Sequence, residues 1–185
     1  MALTKTPVCD FGKKAADFKL KSINNELVSL DDIKGDKATL VMFICNHCPY
    51  VKAIIKDLTK DCNDLKKEGI NSVAIMSNDT NNYPEDSFEN MVKFAEINNF
   101  GEINYLFDET QEIAKKFGAV CTPDFFGYNK DLKLQYRGRF RELKDLKTIN
   151  DGDSDLKKAM KMIAKNQKGP DEQTPSMGCN IKWFN

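Results

Sequence analysis

Residues 38–51 read ATLVMFICNHCPYV, and this stretch decides the fold prediction. Its first part, Ala38 to Ile44, is almost continuously apolar, which is typical of a central strand buried on both faces. Cys45 and Cys48 follow, separated by two residues, and Pro49 comes next, where the first turn of a helix tolerates proline. The stretch therefore predicts a buried strand, a junction with two cysteines, and the start of a helix.

The sequence on either side predicts a sheet flanked by helices. After Pro49, the apolar residues have the spacing of an amphipathic helix: Val51, Ile54, Ile55, Leu58, Cys62 and Leu65. Further helices are predicted near 85–98, between a Thr110 cap and Gly118, and near 153–165. Further strands are predicted at 15–20, 26–30, 70–77, 103–107, 124–128 and 132–137, the last two as a hairpin. Alternating βα units followed by a hairpin predict an α/β fold with a central mixed β-sheet.

Length, charge and hydropathy limit the number of domains, the kinds of partner and the location that we expect. The chain has 185 residues and a formal net charge of zero, which favours one domain and no electrostatic binding to nucleic acid or to an anionic membrane. We expect a domain over 1–169 and a Gly- and Pro-rich, irregular tail over 170–185, packed on the domain or extending from it. No apolar stretch is long enough for a bilayer span, and the N-terminus lacks a signal-like apolar block, so we expect a cytoplasmic protein.

The cysteine pair is the strongest candidate for chemistry. Unpaired amides and the helix dipole favour negative charge at a helix start, so a thiol there should have a lowered pKa. An ordinary thiol of pKa ~8.5 is about 3% thiolate at neutral pH, and a drop of ~2 units makes the thiolate the main form. We expect Cys45 to attack, as the more exposed cysteine, Cys48 to resolve the mixed disulfide, and His47 to support the thiolate.

Two other interpretations of the pair stay open. The cysteines can be buried apolar residues, or they can hold zinc together with His47 and with Cys121 or Cys179. Structural zinc sites usually pair two C-x-x-C knuckles, and the sequence has one. We therefore predict no metal and no other cofactor.

A second motif, Thr122-Pro123, precedes a predicted strand. Together with the CNHC junction, the helix after it, IAKKFGAVCTPDFF and the hairpin, it resembles the thioredoxin-like superfamily over about residues 15–165. The resemblance implies a thioredoxin-like fold in which Pro123 is a cis-proline beside the redox pair. It also implies that the backbone of Thr122 meets an extended substrate.

Within that superfamily the chain resembles the peroxiredoxin-like group of alkyl hydroperoxide reductase/thiol-specific antioxidant type. The resemblance rests on CNHCPYV, AVCTPDFFGYNKD, YRGRF and GCNIKW. The P-x-x-x-T-x-x-C motif of peroxiredoxins is not kept: aligned on Cys48, its Thr position is Cys45 and its Pro position is Val41. The peroxide-polarising Arg of that group falls near Thr122, with Arg137 and Arg139 further along the chain.

Other side chains are weaker candidates. Cys121 lies close enough to Pro123 to approach Cys45, or it is simply a buried core cysteine. Cys179 is a candidate resolving thiol in a tail that Ile181, Trp183 and Phe184 can dock. Asp10, Asp17 and Asp36 are candidate charges near the site. Cys9 is expected to be exposed, and Cys62 to face the core.

The sequence thus predicts a thiol–disulfide oxidoreductase using Cys45 and Cys48. A thiol peroxidase, with Cys121 or Cys179 as the resolving thiol, remains an alternative, and so does a redox-inert or zinc-holding binding module. The expected partners are a disulfide, thiol or hydroperoxide substrate and an unidentified reductant. The oligomeric state is left open.

Overall fold

The central strand of the computed structural model is β4, Ala38–Phe43, and all of its residues are buried. The structure describes residues 3–184. β4 pairs in parallel with β5, Ile70–Met76, and antiparallel with β8, Asp124–Asn129. The prediction of a buried central strand in a mixed sheet is confirmed.

Seven strands form the main sheet, in the order β3-β2-β6-β5-β4-β8-β9. The strands not yet given are β2 Lys19–Ser22, β3 Leu27–Ser29, β6 Asn104–Phe107 and β9 Leu134–Tyr136. The pairs β4–β5 and β5–β6 are parallel and the others antiparallel, including the predicted β8–β9 hairpin.

Helices cover both faces of this sheet. They are α1 Leu30–Ile33, α2 Pro49–Lys66, α3 Phe88–Ile97, α4 Glu112–Phe117 and α5 Asp155–Asn166. Successive residues of β4 point to opposite faces, so Leu40 and Met42 join one apolar cluster with α2 and α5, while Val41 and Phe43 join another with α4. The α/β class with a mixed sheet between helices is confirmed.

Two helix starts differ from the prediction. Pro84–Asp86 forms a 3₁₀ turn, and α3 begins only after Ser87, whose hydroxyl accepts a hydrogen bond from the Asn90 amide. Thr110 does not cap α4. The carboxylate of Asp108 accepts the Ala114 amide at 2.9 Å instead, so a side chain earlier in the chain satisfies the free amides of that helix.

The tail forms a strand where the sequence predicted irregular structure. β12, Met177–Asn180, lies between β1, Leu3–Lys5, and β7, Cys121–Thr122, in an antiparallel three-stranded sheet. Gly178 lies so close to Thr122 that a Cβ added at Gly178 would be 2.0 Å from the Thr122 carbonyl oxygen. The glycine that suggested a break is therefore what permits this strand pairing.

Two further features complete the architecture. β10, Leu143–Lys144, and β11, Lys147–Thr148, form a short antiparallel ribbon that the sequence did not predict. Within residues 3–184, no helix is long and apolar enough to cross a membrane.

Candidate active site

The two cysteines lie between the end of β4 and the start of α2. Cys48 is the N-cap of α2, and Pro49 is its first helical residue, where the missing amide hydrogen removes no intrahelical bond. Cys45 is 1% exposed and Cys48 is 0% exposed. The fold buries both thiols, so exposure does not distinguish the attacking cysteine.

Thr122 lies against both thiols, and its peptide bond to Pro123 is cis, as the resemblance implied. The Sγ of Cys45 lies 3.3 Å from the Thr122 hydroxyl, and the Sγ of Cys48 lies 3.1 Å from the Thr122 carbonyl oxygen. One residue thus contacts Cys45 through its side chain and Cys48 through its backbone. This arrangement fixes the two sulfurs relative to the proline turn.

A third sulfur joins this pair. The Sγ of Cys179, on β12, lies 3.1 Å from the Sγ of Cys48. The tail is docked partly as expected, since Ile181 is fully buried while Trp183 and Phe184 keep 39% and 43% of their surface exposed. The structure therefore brings Cys179 to the site.

The remaining cysteines lie apart from this thiol group. Cys121 is buried, and its thiol is 3.5 Å from the carbonyl of Pro123. Within residues 3–184 it has no hydrogen bond to Cys45, which agrees with its interpretation as a core cysteine. Cys62 faces the core, as predicted, with its sulfur 4.0 Å from that of Met42. Cys9 is half-buried rather than exposed.

Asp86 is the buried acid of the site, and sequence reasoning missed it. Its carboxylate accepts hydrogen bonds from the Asn46 amide at 2.8 Å and the Asn78 side chain at 2.8 Å, and its Oδ2 lies 2.7 Å from His47 Nδ1. Asp86 is fully buried. It lies on the 3₁₀ turn before α3, where no motif distinguishes it from other acidic residues.

The acids proposed from the sequence are not at the site. Asp10, Asp17 and Asp36 are all exposed at the surface. The expectation that one of them lies near the cysteines is wrong. The acid at the site is Asp86, which contacts the CNHC loop from a segment about forty positions further along the chain.

The environments of the two thiols separate their pKa values. A hydrogen bond to Cys48, burial and the nearby charge of Asp86 raise the pKa of Cys45. The same hydrogen bond from Cys45 lowers the pKa of Cys48, burial opposes this, and the thiol of Cys179 and the Val51 amide lower it further. The negative charge is therefore favoured on Cys48, at the helix start.

His47 and Asp86 form a paired acid and base beside the thiols. The hydrogen bond with Asp86 is the main factor that raises the pKa of His47. Burial alone would raise the pKa of Asp86, but hydrogen bonds from His47 and Asn78 outweigh it and lower that pKa. The His47 ring stacks on Tyr83 with centroids 5.6 Å apart, and its buried Nε2 has no hydrogen-bond partner within residues 3–184.

One donor group has a spacing that suits a metal ion. Single donor atoms of Cys45, His47 and Asp86 lie within 4.8 Å of one another. This set differs from the zinc set suggested by the sequence, since Asp86 takes the place of the other cysteines. The contact between His47 Nδ1 and Asp86 already uses two of these donors, so a bound metal would have to replace that hydrogen bond.

The arginines that follow the proline turn have other partners. Arg137 forms a buried ion pair with Asp124 at 2.9 Å, and Arg139 pairs with Asp155 at 2.7 Å. Arg137 also donates to the Gly118 carbonyl at 2.8 Å. These bonds anchor β8 and α5 and do not place a guanidinium on the cysteines.

A cleft of about 510 Å³ opens beside the cis-proline. Its walls include Tyr50, Pro123, Arg139, Arg141 and Met177. None of the three clustered cysteines is among the residues that line it. Pro123 and the edge of β12 therefore separate the cleft from the sulfurs.

The family model described as AhpC/TSA matches residues 11–138. The chain belongs to the AhpC/TSA family. A solved structure of an uncharacterised conserved protein from Geobacillus kaustophilus is 41% identical to this AhpC/TSA chain, with a TM-score of 0.94, covering 100% of this chain and 97% of that one. A hypothetical protein from Sinorhizobium meliloti is 37% identical, with a TM-score of 0.89 and 98% of each chain covered.

More distant structures share the fold of this AhpC/TSA protein. The thioredoxin domain of a thiol-disulfide oxidoreductase from Bacteroides vulgatus is 20% identical, with a TM-score of 0.58, covering 69% of this chain and 86% of that one. This likeness shows a thioredoxin-like fold. No curated protein matches the chain.

Proposed function

We propose that this protein is a thiol–disulfide oxidoreductase whose redox centre is Cys45 and Cys48. The observation that carries the proposal is the contact of both thiols with Thr122, at 3.3 Å and 3.1 Å, at the start of α2. Membership in the AhpC/TSA family and the thioredoxin-like fold support redox chemistry at this position.

The roles of the two cysteines follow from their pKa values. The thiolate is the nucleophile in disulfide exchange, and the lowered pKa of Cys48 supports Cys48 in this role, in place of Cys45, which the sequence favoured. Cys48 therefore attacks one sulfur of a substrate disulfide, forming a mixed disulfide and releasing the first substrate thiolate. The Cys45 thiol then attacks the Cys48 sulfur and passes its proton to the second substrate sulfur, which leaves as a thiol. A Cys45–Cys48 disulfide remains, so the two electrons of the dithiol pass to the substrate.

His47 and Asp86 support this exchange. With its raised pKa, His47 carries a positive charge over a wider pH range, and its Nδ1 lies 3.9 Å from the Cys45 sulfur. A positive charge there offsets the negative charge of Asp86, which by itself opposes ionisation of Cys45. His47 is thus a positioning and charge-balancing residue, and no covalent step passes through it.

The proposed partners are a protein or small-molecule disulfide and an external reductant that restores the dithiol. The candidate approach for a substrate is the cleft beside Pro123, although Pro123 and the edge of β12 stand between this cleft and the sulfurs. We propose a cytoplasmic location, since a reducing compartment keeps such a pair available as a dithiol.

The first experiment is an equilibrium titration in glutathione buffers with peptide mass mapping of all six cysteines. We expect a Cys45–Cys48 disulfide to form between ~−270 and ~−120 mV, the range of working dithiol oxidoreductases. Disulfide reductase activity should be lost in Cys48→Ser and reduced in Cys45→Ser. Cys9→Ser, which changes a cysteine outside the thiol group, is the matched control.

Full activity in both Cys45→Ser and Cys48→Ser would exclude this function. Metal analysis of the freshly purified protein tests the alternative of a binding module: a stoichiometric zinc ion lost in His47→Ala would favour the donor set of Cys45, His47 and Asp86.

The 3.1 Å contact between Cys48 and Cys179 also favours a second candidate, a thiol peroxidase. The Cys48 thiolate attacks the terminal oxygen of a hydroperoxide, becomes a sulfenic acid and releases an alcohol or water. Cys179 then forms a disulfide with it and releases water. Stopped-flow reaction with hydrogen peroxide separates the two functions, since a rate no faster than that of a free thiol excludes the peroxidase.

A further inference from the structure

The C-terminal strand covers the thiol pair with a third cysteine. In the β12–β7 pairing, Cys179 is directly opposite Thr122, the residue that contacts both Cys45 and Cys48. The sulfurs of Cys48 and Cys179 are 3.1 Å apart, and the two residues are 0% and 5% exposed. Three cysteines therefore share one buried site, although the sequence shows only two of them as a pair.

The distance between these two sulfurs is close to that needed for bond formation. A disulfide bond is about 2.05 Å long, so the sulfurs at 3.1 Å must approach by about 1 Å. Cys48 lies at the start of α2 and Cys179 lies within β12, so each is held by regular structure. Small rotations of the two side chains close this distance.

Several contacts hold β12 in place beside the cysteines. Gly178 allows the strand to approach Thr122, because any Cβ there would be 2.0 Å from the Thr122 carbonyl oxygen. Just before the strand, the Thr6 amide donates to the Ser176 carbonyl at 2.9 Å. Just after it, the Lys182 amide donates to the Asn78 side chain at 2.9 Å. Because both cysteines are held in place, the effective concentration of the Cys179 thiol at Cys48 is high.

We propose that Cys179 is a third redox thiol, which exchanges with the Cys45–Cys48 disulfide to form a Cys48–Cys179 disulfide. This inference rests on the proposed function, because substrate reduction generates the first disulfide. The Cys179 sulfur attacks the Cys48 sulfur, the Cys45–Cys48 bond breaks, and the proton of Cys179 passes to the leaving sulfur of Cys45. One disulfide and one thiol are consumed, and one of each is formed, so no further oxidant is needed.

The exchange gives the oxidised protein two forms. In one, β12 is free of covalent bonds and Cys179 is a thiol. In the other, the bond to Cys48 ties β12 to the start of α2 and returns Cys45 to the thiol state. β12 pairs with the backbone of Thr122, so in the tied form no other extended segment can pair with Thr122 at that position.

The test is disulfide mapping of the full chain after stoichiometric oxidation with glutathione disulfide. Samples are quenched in acid, alkylated and analysed by peptide mass spectrometry. We expect wild type to contain both Cys45–Cys48 and Cys48–Cys179 bonds. Cys45→Ser should form the Cys48–Cys179 bond alone, since glutathione first joins Cys48 and Cys179 then displaces it. Cys179→Ser should form the Cys45–Cys48 bond alone.

A second variant changes the position of Cys179 without removing a sulfur. Gly178→Ala should push β12 away from Thr122 and slow Cys48–Cys179 formation in the Cys45→Ser background at least about tenfold, because such reactions depend on alignment within about 1 Å. Gly152→Ala is the matched control, since a Cβ at Gly152 meets nothing within 4 Å. Circular dichroism confirms that each variant is folded.

The outcomes separate this inference from the proposed function. A Cys45–Cys48 bond in wild type, with no Cys48–Cys179 bond in wild type or in Cys45→Ser, overturns the third thiol and leaves the oxidoreductase standing. No disulfide among the three cysteines in wild type overturns both. Equal rates in Gly178→Ala and Gly152→Ala overturn the role of the strand in presenting Cys179.

Discussion

The sulfur atoms of Cys48 and Cys179 lie 3.1 Å apart, although 131 positions separate the two residues in the chain. The contact joins the N-cap of a long helix to a strand near the C-terminus. It also removes water from the thiols, which strengthens their electrostatic interactions with neighbouring groups. The chemistry of the pair and the packing of the tail are thus properties of one site.

The ionisation of Cys48 can be measured directly. We expect thiolate absorbance in the ultraviolet at neutral pH in wild type and in Cys9→Ser, because the lowered pKa of Cys48 keeps it ionised. Cys48→Ser should lose this absorbance. A lowered pKa stabilises the fold above the ordinary thiol pKa, and that contribution is lost as the pH falls through the pKa of folded Cys48. Unchanged absorbance in Cys48→Ser would assign the thiolate elsewhere.

His47 gives a clear pH readout, because it is the single histidine of the chain. The pairing with Asp86 raises its pKa above the ordinary ~6.5, so its NMR titration in wild type should be shifted to higher pH. Asp86→Asn should return the pKa toward the ordinary value. The exposed Asp10→Asn is the control and should leave it unchanged.

The same pair makes stability depend on pH. Because the pKa of folded His47 is raised, its contribution is present below the ordinary pKa and is lost as the pH rises through the folded value. Asp86→Asn should lower the free energy of unfolding by about 1–3 kcal/mol, since it weakens several buried hydrogen bonds. Chemical denaturation at mildly acidic pH, above the lowered pKa of Asp86, and at alkaline pH should show this difference shrinking at alkaline pH. A constant difference would contradict the ion pair.

Arg137 should matter more to stability than Arg139. Arg137→Ala leaves the fully buried Asp124 without its partner and should lower the free energy of unfolding by about 3–5 kcal/mol. Arg139→Ala removes a partly exposed pair, which costs about 1 kcal/mol or less. Thermal unfolding of the two variants measures the contrast, and equal losses would show that Asp124 does not depend on Arg137.

Gln111 should control how firmly the tail is held. Its side-chain amide donates to the Lys182 carbonyl at 2.7 Å, and its side-chain oxygen accepts the Phe184 amide at 2.8 Å. Gln111→Ala removes both bonds, so the amides of β12 should exchange hydrogen faster. The neighbouring exposed Glu112→Ala is the control. If exchange in β12 is the same in both variants, contacts elsewhere hold the tail.

Several elements of the fold were predictable because their signals are local. The apolar run of Ala38–Phe43 predicted the central strand, and the helical spacing from Val51 to Leu65 predicted α2. The hairpin of β8 and β9 followed from two apolar runs joined at Asn129. The cis peptide at Pro123 needed the resemblance to a known superfamily, since the residues alone show only a proline before a strand.

The sequence by itself determined the buried strand, the cysteine pair at a helix start, and therefore the class of fold. These features are encoded in the periodicity and spacing of neighbouring residues, which reflect local burial. Only the tertiary structure decided that Asp86 partners His47, that both thiols are buried, and that Cys179 meets Cys48. Such contacts join segments far apart in the chain, and their geometry depends on how strands and helices pack rather than on any pattern within one segment.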